Sequence, residues 1–133
     1  MKEKIKAVVE RGEDGFFCVS ATKVFHDCQF IGSGETADLA KADFIEAMND
    51  MLINDCGIDP AEVEVEFKYD VQSFLMEYKG LLSLSGLQTM TGINQRQLHH
   101  YLSGVRKPSA TTISKIQKGI REYAERLLSV ELA

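Results

Sequence analysis

Residues 83–109 read SLSGLQTMTGINQRQLHHYLSGVRKPS. Ser83 is a good helix N-cap, and Leu87 and Met90 follow at helical spacing, predicting a short helix up to Thr91. Gly92 breaks the chain, Ile93 offers an apolar plug, and Asn94 caps a second helix to about Leu102, which Gly104 ends. Leu87, Met90, Ile93 and Leu98 are then placed to pack inward and fix the angle between the helices. Gln95, Arg96, Gln97, His99 and His100 project outward from the second helix. Two short helices around a tight glycine turn, with a polar second helix, predict a helix-turn-helix.

The outward residues suit double-stranded DNA. A glutamine offers a paired donor and acceptor to adenine, and an arginine can bond a guanine edge twice. Arg106 and Lys107, just beyond the helix, are positioned to meet phosphates, and the helix starts at Ser83 and Asn94 offer backbone amides. The candidate DNA-binding set is Asn94, Gln95, Arg96, Gln97, His99, His100, Arg106 and Lys107. The plainer alternative is a solvated helix face. His99 and His100 point in different directions on a helix and have no carboxylate or cysteine close in sequence, so no metal is expected.

Working outward, Pro108 and Ser109 open a last helix. Ile113, Ile116, Ile120, Tyr123, Leu127 and Val130 form a heptad-like seam that Gly119 interrupts. It reads either as packing on its own domain or as the interface of a homodimer or higher homo-oligomer, as paired DNA half-sites would require. Upstream, Asp70 caps a helix to about Lys79 that buries Phe74, Leu75 and Tyr78.

Before Asp70 the period changes. Ile5 to Arg11 and Phe16 to Ala21 are β-prone runs around the turn residues Asp14-Gly15. Thr22 to Asp27 is ambiguous, and Cys28 to Ile31 is a plausible third strand ended by Gly32-Ser33-Gly34. Thr36 caps a helix with Ala40, Phe44, Ala47, Met48, Met51 and Leu52 on one face, followed by Gly57. Val63, Val65 and Phe67 then alternate with Glu62, Glu64, Glu66 and Lys68, a half-buried strand with a charged outer face. The expected fold class is α+β: a β-β-β-α-β domain over 1–69, then an all-α domain over 70–133.

The chain has 133 residues, of which 44% are hydrophobic, enough for packed cores and against disorder. No apolar run approaches the roughly 20 residues that span a membrane, and Met1 to Lys6 lacks the apolar core of a secretory signal. Three cysteines, Cys18, Cys28 and Cys56, without close pairs in sequence argue against a disulfide framework and for a cytoplasmic setting. Residues 1–70 hold 7 Lys+Arg against 16 Asp+Glu, a balance of −9, whereas residues 71–133 hold 8 against 4, a balance of +4. An acidic half and a basic half attract different partners.

Two family resemblances follow. Leu87, Gly92-Ile93-Asn94, Leu98, Ser103-Gly104 and Arg106-Lys107-Pro108-Ser109 make residues 83–109 resemble the DNA-binding core of Cro/phage-repressor-type (XRE) helix-turn-helix domains. Gln88, Thr91 and Tyr101 depart from that family's usual alanine or aliphatic residues. The run Gly12-Glu13-Asp14-Gly15-Phe16-Phe17, then Asp27-Cys28, then Gly34-Glu35-Thr36 before an alanine-bearing helix resembles HicB-type antitoxins. That resemblance implies a partial RNase H-like domain that neutralises a small basic RNA-cleaving toxin (HicA). It also implies a DNA-binding domain that represses the operon of a type II toxin-antitoxin pair.

No enzyme is expected. Asp14, Asp27, Glu35 and Asp38 fall in turns and at a helix start, Glu62, Glu64 and Glu66 share one exposed face, and no nucleophile–base set stands out. No cofactor is implied. The alternative to the antitoxin reading is a stand-alone transcriptional regulator whose N-terminal domain binds a small effector or another protein.

Overall fold

Strand-period sequence up to Tyr69 and helix-period sequence after it become two separate cores. The computed structural model describes residues 2–133. It divides into two compact units, one ending at Asp70 and the other starting at Val71.

The N-terminal unit has β1 (Glu3–Arg11), β2 (Phe17–Ala21), β3 (Ile31–Gly34), α1 (Ala37–Met51) and β4 (Val63–Tyr69). The sheet order is β3-β2-β1-β4, with β1 antiparallel to β2, β2 antiparallel to β3, and β1 parallel to β4. Alternation decides which face is covered. Ile5, Ala7 and Val9 on β1, and Phe17, Val19 and Ala21 on β2, are buried together with Ala40, Phe44 and Met48 of α1. Phe44 makes edge-on contacts with Phe30 and Phe67, at centroid distances of 6.3 and 5.8 Å. The charges of β4 stand in register with opposite charges on β1, Glu64 beside Lys4 and Glu66 beside Lys6. Cross-strand pairs of this kind favour that pairing, so the outer face is mixed in sign rather than simply acidic.

One expectation changes here, and two open points are filled in. The third strand runs over Ile31–Gly34, not Cys28–Ile31, and its two glycines lie inside it. The reason is α1. A Cβ on Gly32 would collide with the backbone N of Phe44 and lie 2.7 Å from the Ala40 carbonyl oxygen, and one on Gly34 would lie 2.8 Å from the Ala40 nitrogen. The helix rests on bare backbone, so these glycines serve close approach and do not end the strand. The ambiguous stretch contains a tight two-residue turn. Phe25 and Cys28 exchange backbone hydrogen bonds of 2.9 and 2.8 Å, with His26 and Asp27 both left-handed at φ 47° and 63°. Finally, two cysteines far apart in sequence meet in space: Cys28 Sγ and Cys56 Sγ are 3.0 Å apart as free thiols. Cys56 gets there because α1 continues into a wider π-type turn, Leu52–Cys56, closed by left-handed Gly57 at φ 65°.

The C-terminal unit has α2 (Val71–Tyr78), α3 (Leu84–Thr91), α4 (Gln95–Ser103) and α5 (Ala110–Leu128). Its core is Leu75, Leu87, Ile93, Leu98, Tyr101 and Ile116. Only part of the expected α2 face is inside: Leu75 is buried, Phe74 is half-buried, and Tyr78 is exposed with its ring 5.0 Å from that of Phe74. The α5 seam also shrinks. Ile116 is buried and Ile120 half-buried, whereas Ile113, Leu127 and Val130 are exposed, and Val130 lies past the helix end. Gly119 does not interrupt this helix. A Cβ there would collide with the Met90 carbonyl oxygen and lie 2.9 Å from Thr91 Cα, so the glycine is where α5 rests on α3. Among the described residues, no helix is long and apolar enough to cross a membrane.

Candidate nucleic-acid interface

The α3–α4 pair is built from local chemistry. Ser83 Oγ accepts a hydrogen bond from the Gly86 amide at 3.0 Å, and Asn94 Oδ1 accepts from the Gln97 amide at 2.8 Å. Each side chain satisfies an amide that the first helical turn leaves unpaired. Gly92 (φ 75°) and Gly104 (φ 82°) end α3 and α4 in the left-handed conformation that a side chain would strain. The turn between them is therefore residues 92–94, with Ile93 inserted into the core.

The three atypical residues of this segment each satisfy a polar group. Thr91 Oγ1 donates to the Leu87 carbonyl at 2.7 Å and accepts from the Ile93 amide at 3.2 Å, so its buried hydroxyl is fully used. Gln88 Oε1 accepts from the Gln95 amide at 2.9 Å, linking α3 to the first turn of α4. The Tyr101 ring lies in the core, and its hydroxyl accepts from Gln97 Nε2 at 2.6 Å.

This network sorts the candidate residues. Gln95, Arg96 and His99 are exposed on α4, and His100 is half-buried. Arg106 and Lys107 are exposed just beyond Gly104, and the Arg106 amide donates back to the His100 carbonyl at 3.2 Å. Arg96, Arg106 and Lys107 pair with no carboxylate among the described residues. Two candidates are tied elsewhere. Asn94 is a cap, and Gln97 directs its amide NH₂ to Tyr101, which takes it away from the outward stripe. Comparison of the chain with family models, with curated proteins and with solved structures finds no match. The reading of this face therefore rests on its own residues.

Lys115 is a residue the local pattern did not single out. A Cβ on Gly92 would lie 3.9 Å from its Nζ, so α5 brings a cation against the α3–α4 turn. Its signal in sequence is only that it precedes the buried Ile116. In the other unit, several carboxylates are occupied as backbone acceptors. Asp14 Oδ1 accepts from the Phe16 amide at 3.0 Å, Asp43 Oδ2 from the Ser33 amide at 2.8 Å, and Asp59 Oδ1 from the Ala61 amide at 2.9 Å. No group of three His, Cys, Asp or Glu residues placed to hold a metal occurs among the described residues.

Proposed function

We propose that this protein is an antitoxin-type repressor: the C-terminal unit binds operator DNA as a helix-turn-helix, and the acidic N-terminal unit sequesters a small basic toxin. The observation that carries the DNA half is the outward stripe of α4. Gln95, Arg96 and His99 stand exposed on a doubly capped helix, followed directly by Arg106 and Lys107, which pair with no carboxylate among the described residues.

In this mechanism α4 enters the major groove with its N-terminal end toward the bases. Arg96 reads a guanine edge and Gln95 an adenine edge. Arg106, Lys107 and Lys115 neutralise phosphates around them, which sets affinity and its salt dependence. Gln97 holds the helix rather than reading a base. The −9 balance of residues 1–70 supports the other half, because a protein that grips RNA must present a basic surface, which opposite charge steers onto this unit. The RNase H-like architecture and the dimer belong to the same proposal. The β-β-β-α-β order and the exposed Ile113, Leu127 and Val130 support them.

The test is titration of the protein against DNA from upstream of its own gene, at several salt concentrations. Arg96→Ala relaxes sequence preference by about 1–3 kcal/mol, while Lys107→Ala weakens all sequences alike and lowers the salt slope by about 1. If neither variant alters binding, the α4 assignment is wrong. Purification from the source cell then tests the toxin: a small basic protein at fixed stoichiometry supports it. DNA binding without such a partner favours the stand-alone regulator.

A further inference from the structure

We propose that Cys28 and Cys56 are a redox modification site, a dithiol that small disulfides of the glutathione type convert into an intramolecular disulfide. The two residues are 28 apart in sequence, yet their Sγ atoms are 3.0 Å apart, about 1 Å more than a disulfide bond. Each sits at an irregular piece of backbone. Cys28 closes the tight turn with left-handed His26 and Asp27, and Cys56 ends the π-type turn before left-handed Gly57. The remaining gap is about 1 Å, and both segments lie outside the regular strands and the body of α1. The bond would tie the β2–β3 connection to the C-terminal end of α1.

The two thiols differ in access. Cys28 is buried at 8% exposure, and Cys56 is half-buried, so Cys56 meets the reagent first. Its thiolate attacks one sulfur of the reagent, forming a mixed disulfide and expelling one thiolate. Cys28 then loses its proton to solvent, and its thiolate attacks Cys56 Sγ, expelling the second. Two electrons pass from the protein pair to the reagent, which leaves as two thiols. Cys18 takes no part. It is exposed on β2 between buried Phe17 and Val19, so it points to the opposite face of the sheet.

The surroundings of Cys56 disfavour its thiolate. The hydrogen bond with Cys28 pushes the Cys56 thiol up to about 11, with burial, the Cys28 charge, Asp55 and Asp27 adding to it. The thiolate is the attacking form, so the rate should climb with pH.

The experiment incubates the full chain with excess oxidised glutathione at about pH 8, alkylates the remaining thiols, and maps peptides by mass spectrometry without reduction. The expected result is a fall from three free thiols to one, with the Cys28 and Cys56 peptides joined, Cys18 alkylated, and the protein monomer mass lower by about 2 Da before alkylation. The disulfide should raise the melting temperature, and dithiothreitol should reverse both the cross-link and that rise. Three thiols remaining, glutathione retained on Cys56, or a bond made through Cys18 would each overturn the proposal. In Cys56→Ser the cross-link must vanish.

Discussion

The two units reach comparable order by different routes. In the N-terminal unit, contacts between residues far apart in sequence decide the fold. α1 lies on the bare backbone of Gly32 and Gly34, and Phe44 joins Phe30 from one loop to Phe67 from the last strand. In the C-terminal unit most decisions are local. Ser83, Asn94 and Ser109 each cap their own helix, Gly92 and Gly104 each end one, and a six-residue core holds the pieces. A unit organised by caps can present a polar helix face without strain, whereas one organised by close packing has little tolerance in its middle and more at its margins. The left-handed His26-Asp27 turn lies outside the regular strands and leads directly to the buried Cys28 of the thiol pair.

The contrast can be broken at its strongest point by removing Phe44. Phe44→Ala takes away a fully buried ring with two aromatic neighbours, and the N-terminal unit should lose about 4 kcal/mol. Amide hydrogen exchange read residue by residue is the measurement. Protection should collapse in β1, β2 and α1 and persist in α3 and α4. A uniform loss across both units would contradict the division into two cores.

Gly119→Ala sharpens the comparison, because it tests a place where the C-terminal unit depends on close approach of one helix backbone to another. Glycine to alanine inside a helix ordinarily stabilises by up to about 1 kcal/mol. Here the new methyl meets the backbone of Met90 and Thr91, so urea unfolding should instead show a loss of about 2 kcal/mol. A gain would mean that α5 can move off α3 freely.

The smallest effect expected is at a cap. Asn94→Ala removes the acceptor for the Gln97 amide and should lower stability by about 1 kcal/mol in the same urea assay. DNA affinity should fall only as far as the first turn of α4 frays, with sequence preference unchanged. A changed preference would give Asn94 a base-reading role instead.

Much of the fold was legible because it is encoded within a few residues. Thr36 caps α1 through the Leu39 amide, the 62–68 alternation is β4, and the helix ends at Gly92 and Gly104 fall where left-handed glycines were needed. The misreadings share one cause. Gly32-Ser33-Gly34 has the composition of a loop, and only the helix crossing above makes it a strand. His26-Asp27 lacks the Asn-Gly signature of a two-residue turn, yet the pairing of Phe25 with Cys28 holds it there. Within the candidate interface, helical spacing identified which residues could face outward. It did not reveal that the Tyr101 hydroxyl would take up the Gln97 amide, or that α5 would bring Lys115 to the turn.

The sequence by itself determined the element types, the caps, the change of period near Asp70 and the opposite charges of the two halves. Each of these depends on dihedral preference, hydrophobic period or charge within a short window. Tertiary structure alone decided which glycines lie beneath a helix, which two of three cysteines meet, and which polar residues of α4 remain outward. Those outcomes depend on distances between residues far apart in the chain, and the packing of the whole unit sets them.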